Sequence, residues 1–294
     1  RLAAAHQARR RFLRGFLAVP SAAIALVVFV AMCTAALIAP WIAPQDPYDL
    51  TQVSIMDNLL PPGTEAWSGM THWLGTDGQG RDMLSAMLYG LRISLLVGIL
   101  SGLIALAIGT LVGLVAAFRG GWLDAVLMRI VDLQLSFPTI LVALILLVIL
   151  GRGVDKIIIA LVVVQWAYFA RTVRGVALVE SARDYVEAAR GLRLGAMRIL
   201  FLHVLPNCLP TMLVIATIQM AQAISLEATL SFLGVGLPPT RPSLGLLIAN
   251  GFNFLQSGRW WISVLPGVVL LVLIVSVNVL GDRMREILNP HLRR

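Results

Sequence analysis

Six long apolar runs dominate the chain, at about residues 20–43, 91–118, 126–150, 157–176, 205–233 and 261–280. A bilayer's hydrocarbon core is about 30 Å thick, and a helix rising about 1.5 Å per residue crosses it in about 20 residues. Inside lipid every backbone N–H and C=O must be satisfied within the protein, so only helices and closed barrels can span it. Runs of this length read as helices, and the predicted fold is an all-α membrane bundle of six transmembrane helices. Composition agrees. Charged residues make up 13% of the 294 and mean hydropathy is +0.87, whereas a soluble domain carries about a quarter charged residues.

The net charge of +8 does not point to nucleic acid, because the basic residues cluster at the ends of apolar runs, as topological anchors do. With the N-terminus inside, inner segments hold Arg1, Arg9, Arg10, Arg11, Arg14, Arg119, Arg129, Arg171, Arg174, Arg183, Arg190, Arg193, Arg198, Arg283, Arg285, Arg293 and Arg294. These are 17 of the 23 Lys and Arg residues, which predicts six spans with both termini cytoplasmic. The first run is too long for a signal-peptide core and no small-residue cleavage site follows it, so it is read as a retained span. The predicted layout is a cytoplasmic segment 1–19, a first span 20–43 and an extracytoplasmic loop 44–90 with short interfacial helices. A five-helix core 91–283 with a cytoplasmic loop 180–206 and a cytoplasmic tail 284–294 follow.

Local signals refine this picture. Arg129 and Asp132 are three apart and positioned to pair on one helix face, and Pro138 is expected to kink the third run. Trp260 and Trp261 read as interfacial anchors. Gly98, Gly102, Gly109 and Gly113 predict close helix packing in the second span. Cys33 and Cys208 lie in apolar segments without a second ligand and read as packing residues, with no disulfide or metal site. In the fifth run, Gln219, Gln222 and Glu227 are candidates for a translocation path. Glu227 lies about 33 Å along the helix from Leu205, so it either lines the path near an outer gate or sits at the interface. The glutamines either line a polar cavity or bond between helices.

One polar segment breaks the apolar pattern, residues 184–206, DYVEAARGLRLGAMRILFLHVLP. It reads as a short helix over 184–192, a turn around Gly195 and a second helical start running into His203 and Pro206. Glu187, Ala188 and Ala189 are expected to form one compact face, since two small side chains let a partner surface approach the backbone. A helix resting on lipid headgroups is the competing reading.

The order Glu187-Ala188-Ala189, Ile199, His203, Leu205 and Pro206 resembles the EAA loop of permease subunits of ATP-binding-cassette importers. In that family the loop forms a coupling helix that enters a groove on the ATPase subunit. The resemblance implies coupling roles for Tyr185, Glu187, Ala188, Ala189, Arg190, Gly195, Arg198, His203 and Pro206. One position departs from the pattern: the family has Gly six residues after the Glu, where this chain has Arg193, and Gly191 and Gly195 are expected to supply the turn.

Residues 72–95, HWLGTDGQGRDMLSAMLYGLRISL, resemble the segment before the second span in C-type permeases of dipeptide, oligopeptide and nickel importers. Thr76 and Asp77 are good turn or cap residues, and Gly78 and Gly80 allow positive φ. Gly75, Thr76, Asp77, Gly80, Arg81 and Asp82 therefore mark the family and read as a structural cap rather than a substrate site. Gly120-Gly121-Trp122-Leu123-Asp124, Phe137-Pro138, Ala170-Arg171, Leu230-Ser231-Phe232-Leu233-Gly234, Leu280-Gly281-Asp282 and Asn289-Pro290 extend the likeness along the chain.

The resemblance implies a type I importer permease fold, in the plasma (inner) membrane of a prokaryote. The implied partners are a homologous B-type permease, two ATP-binding subunits and an extracellular substrate-binding protein, besides the lipid bilayer. The implied cargo is oligopeptide or dipeptide, with nickel, glutathione or glycosylated compounds as alternatives within the family. The chain carries no HExxH, GxSxG or phosphate-cradling GxxxxGK[ST] motif, and its His residues, His6, His72, His203 and His291, are scattered. It is expected to be no enzyme and to hold no cofactor, with ATP and Mg²⁺ on the partner ATPases. An autonomous channel or ion-coupled carrier would need charges deep in the spans, which are nearly absent here. A membrane scaffold is the third reading.

Overall fold

A computed structural model describes residues 15–49, 51–67 and 69–288. The N-terminal Arg1, Arg9, Arg10, Arg11 and Arg14, and His6, Asn289, Pro290, His291, Arg293 and Arg294, lie outside the described residues. Among the described residues the architecture is all-α apart from one hairpin of two-residue strands and an isolated bridge.

Five long helices run without a break: α1 (Pro20–Ile42), α2 (Met83–Arg119), α5 (Val154–Ser181), α8 (Leu205–Phe232) and α10 (Trp261–Leu288). Each is long and apolar enough to cross a membrane, α8 together with the short turns before it. The sixth run is broken. α3 (Gly121–Ser136) and α4 (Thr139–Leu150) meet at 89°. Pro138 has no N–H to donate and forces Phe137 into an extended conformation, φ −90° and ψ 141°, so the helix stops there. The expected kink is thus a full corner. α4 alone has 12 residues, about 18 Å of helix, well short of a bilayer core.

Residues at that corner are also paired differently from the sequence expectation. Asp132 bonds Arg171 of α5, not Arg129. Asp124 takes a bidentate pair from Arg174 of α5, with both contacts 2.5 Å. The two pairs fix the amphipathic α3 along α5.

The second span begins eight residues earlier than the apolar run, at Met83, because Asp82 caps it by accepting from the Ser85 N–H at 2.8 Å. α2 and α5 form the tightest helix pair, and glycine is the reason. A Cβ built on Gly109 would fall 2.6 Å from the Trp166 carbonyl oxygen, and one on Gly113 would fall 2.5 Å from that of Ala170. Gly98 admits Ile224 of α8 in the same way, whereas Gly102 has open space beside it and makes no close approach.

The first long loop differs from expectation, and the second contains a helix. The 44–90 segment shows no α-helix among its described residues before Met83. It holds a 3₁₀ turn (Ile55–Asp57) and the antiparallel hairpin β1 (Thr64–Glu65) with β2 (Thr71–His72). The 234–260 segment contains α9 (Leu244–Phe252), capped by Ser243 and buried through Leu244 and Leu247. At 9 residues, α9 is too short to cross a bilayer. Trp261 is no interfacial anchor: it is buried, and its Nε1 donates to the Thr76 carbonyl at 3.2 Å. Trp260, half exposed, is free to take that role.

Candidate functional site

The polar break folds into α6 (Asp184–Gly191) and α7 (Ala196–Ile199), followed by a π turn (Leu200–Val204) that leads into α8. Pro206 is the second residue of α8 and lacks an N–H, and the widened turn before it absorbs the missing bond. Asp184 and Glu187 occupy the first turn of α6 and Arg190 its last, the order that suits the helix dipole. Spacing then sorts its faces. Val186 and Ala189 are buried among Leu114, Val173, Ala177, Ile199, Val204 and Cys208. Glu187, Ala188 and Arg190 face outward. The three residues expected to share one face therefore divide, because neighbours in sequence lie about 100° apart around a helix. Ala189 belongs to the bundle and Glu187 with Ala188 to the outside.

The end of α6 is a Schellman motif built on a residue ill suited to it. The Arg193 N–H bonds the Arg190 carbonyl at 2.9 Å and the Leu194 N–H bonds that of Ala189 at 3.2 Å, while Arg193 takes φ 53°. The expectation that Gly191 and Gly195 supply this bend is corrected. Gly191 ends α6 as a helical residue and Gly195 is extended at φ −60° and ψ 142°. A non-glycine residue in the left-handed region is strained by about 1–2 kcal/mol. Arg193→Gly should therefore stabilise the α6 end by about 1 kcal/mol, read as slower amide exchange at Leu194. Unchanged or faster exchange would mean that the Arg side chain makes up the strain elsewhere.

Tyr185 links three elements. Its hydroxyl donates to Glu180 Oε2 of α5 at 2.9 Å and accepts from Asn207 Nδ2 of α8 at 3.2 Å, and Asn207 also donates to the His203 carbonyl. Burial, then the Glu180 carboxylate, pushes the phenol pKa up, so the group stays a neutral donor. His203 Nδ1 lies 3.4 Å from the Arg198 carbonyl, and Arg198 and Pro206 are exposed. Around them stand two apolar side chains that sequence reading passed over, Leu192 at 75% and Met197 at 65% exposure. Their signal was present: two large hydrophobes inside an Arg-rich segment. They stand exposed in the same segment as the exposed Arg190, Arg193 and Arg198.

The spans hold a second feature. A cavity of about 320 Å³ opens beside Gln165 and Tyr168 of α5, Gln219, Gln222 and Ser225 of α8, and Thr139 of α4. Glu227 is not part of it. It lies about 150° around α8 from the cavity face and is fully buried against α2, where Ser94 of α2 and Ser231 of its own helix each donate to its carboxyl at 2.8 Å. It is fully buried, away from the lining of this cavity.

The 72–82 motif is a buried polar lattice. Arg81 Nε donates to Asp77 Oδ2 at 2.8 Å and its Nη1 to the Pro239 carbonyl at 3.1 Å. Asp82 meets His72 Nδ1 at 3.0 Å and the Asp82 N–H donates to Gln45 Oε1 at 2.7 Å. Thr76 Oγ1 donates to the Asp57 carbonyl at 2.6 Å. The cap of α2 is Asp82 rather than Thr76 or Asp77. Of the turn glycines, Gly75 and Gly80 take positive φ, and Gly78 does not.

A bundle of apolar helices interrupted by a short helix pair with an outward polar face defines a multi-pass membrane protein. Residues 109–294 match the family described as binding-protein-dependent transport system inner membrane component, and residues 7–62 match the N-terminal TM domain of oligopeptide transport permease C. The chain belongs to this family of binding-protein-dependent permeases and is a transport subunit of the ABC importer class. It is 37% identical to the di/tripeptide transport system permease protein DppC of Pseudomonas aeruginosa, over 91% of this chain and 86% of that one. It is 38% identical to the dipeptide transport system permease protein DppC of Escherichia coli K12, over 93% of this chain and 90% of that one. A solved chain of the inward-facing MetNI methionine ABC transporter superposes with a TM-score of 0.58 at 25% identity, covering 70% of this chain and 97% of the other.

Proposed function

We propose that this chain is the C-type permease of an ATP-driven importer of short peptides in a prokaryotic inner membrane, forming half of the translocation pathway beside a B-type permease. Two ATP-binding subunits, holding ATP and Mg²⁺, power it, and an extracytoplasmic binding protein delivers the peptide. The α6–α7 elbow faces the cytoplasm together with both termini, as the distribution of Lys and Arg supports, and docks on an ATPase subunit. The peptide reading draws support from the cargo named for the DppC relatives.

The observation that carries the coupling role is the division of α6 into two faces. Val186 and Ala189 wedge it under α2, α5 and α8, while Glu187, Ala188, Leu192 and Met197 stand free. A push on the outer face cannot be absorbed locally, because Tyr185 ties the elbow to Glu180 and Asn207. ATPase closure then moves α5 and α8 as one lever, and the bundle exchanges inward for outward access between two packed states.

The test is co-expression with the three partner chains and reconstitution into proteoliposomes. The expected result is labelled dipeptide uptake that needs both ATP and loaded binding protein. Peptide flux without the ATPase subunits, or a purified permease pair that retains no ATPase, overturns the assignment.

A further inference from the structure

The cavity between α5 and α8 has a chemistry that the family likeness does not explain. Its polar wall is made of Gln165, Tyr168, Gln219, Gln222, Ser225 and Thr139, with no Asp, Glu, Lys, Arg or His among the lining residues. Gln165 and Gln219 sit near the middle of their helices, and Gln222 and Ser225 are exposed there. Polar side chains at that depth do not face hydrocarbon, which offers them no partner. They face water, a partner helix or cargo.

Two acceptors in this wall are unsatisfied. Gln165 Nε2 donates to the Gln219 backbone carbonyl at 3.1 Å, and this bond leaves Gln165 Oε1 without a donor. Gln219 Oε1 is likewise buried without a donor among the described residues. Both side chains are only 4% exposed. A shielded acceptor gives up no hydrogen bond to water when a donor arrives, so the full gain goes to whatever ligand brings one. Reaching the ligand needs only side-chain torsions, and the terminal amide torsion of Gln is broad.

We infer that this wall is a binding site for the main chain of the transported peptide, resting on the peptide-importer reading given above. Gln165 Oε1 and Gln219 Oε1 accept from backbone N–H groups, and Gln222 and Tyr168 present donors to backbone carbonyls. A side-chain amide carries the same donor and acceptor pair as a peptide bond, so the match is in kind and not only in polarity. The missing charges give the site its selectivity. Side chains of either sign pass unread, and what is counted is the main-chain N–H. The volume, about 320 Å³, lies at the lower end of the range of about 300–1,000 Å³ typical of small-ligand sites, which suits a segment of two or three residues.

The test uses the complete importer in proteoliposomes, with Gln165→Leu and Gln219→Leu as variants that remove the acceptors at similar size. The substrates are a tripeptide and its depsipeptide analogue, in which ester oxygens replace the amide N–H groups. Binding protein is saturated with each in turn, so its own selectivity drops out of the rate. Wild type is expected to move the amide roughly tenfold faster than the ester, two lost hydrogen bonds at about threefold each. In the double variant the ratio falls to about one through loss of the amide rate. An unchanged ratio in the double variant, or no preference in wild type, overturns the site. Loss of the partner permease on purification of either variant also overturns it, since the wall would then be a subunit contact. A wild-type assembly that moves neither substrate sinks the importer reading itself, an outcome distinct from all of these.

Discussion

Ala188→Trp is expected to reduce ATP-driven uptake by about 10- to 100-fold while the permease still folds, inserts and can be purified. Ala188 is exposed on α6 and belongs to no buried cluster among the described residues, so an indole there is expected to leave the bundle untouched. In a docked complex the same indole must fit where a methyl group did. Overpacking a tight contact costs about 1–3 kcal/mol, and each 1.4 kcal/mol is about tenfold in an equilibrium. Glu187→Lys should act in the same direction by reversing the charge on that face. Ala189→Trp supplies the contrast. That side chain is 4% exposed among Val186, Ile199 and Val204, so its replacement should lower the yield of folded protein instead. Uptake, ATPase activity and co-purified ATPase measured together separate the cases. Wild-type uptake in both Ala188→Trp and Glu187→Lys would remove the elbow from the coupling path.

Glu227→Ala is expected to be the most destabilising single change within the spans. The carboxyl is fully buried and ties α8 to α2, accepting from Ser94 of α2 and Ser231 of α8 beside Ser243, the residue that caps α9. Removing it leaves those hydroxyls without their acceptor and opens a cavity. Each effect is worth about 1–3 kcal/mol, and together about 3–5 kcal/mol. For a chain of this size that corresponds to a fall of roughly 10 °C in the thermal midpoint, measurable by size-exclusion of heated, detergent-solubilised protein. Glu227→Gln keeps an acceptor and the volume and should lose far less. Equal stability of Glu227→Ala and wild type would show that α9 is held by its apolar contacts alone, Leu244 and Leu247 above all.

Several features were legible because they depend on local chemistry. Pro138 stops a helix wherever it stands, so the break in the third run was readable, though its 89° angle was not. The glycines of α2 announced close packing, and Gly109 and Gly113 supply it, yet nothing distinguished them from Gly102, whose side faces open space. Arg193 was visible as a departure from the EAA pattern. That it takes the left-handed turn itself, instead of passing it to Gly191 or Gly195, depends on the Schellman bonds to Ala189 and Arg190.

Pairings at long range were out of reach. Arg129 and Asp132 are near in sequence, but Asp132 meets Arg171, brought beside it only when α3 lies down along α5. Gln165 carries no local mark at all, being one amide in an apolar run, and becomes part of a site because Gln219 arrives opposite it. Trp261 looked like an anchor for the membrane surface until the Thr76 carbonyl met its indole N–H.

Sequence by itself determined that the chain crosses a membrane as helices, roughly which runs form them, and that one polar segment interrupts them. These follow from the length of apolar runs and the demand that every backbone group in lipid be satisfied. Tertiary structure alone decided which face of α6 is free, that Glu227 is buried against α2, and that two glutamines from different spans share one cavity. Burial and hydrogen bonding are properties of pairs of elements, and no single helix carries the coordinates of its neighbour.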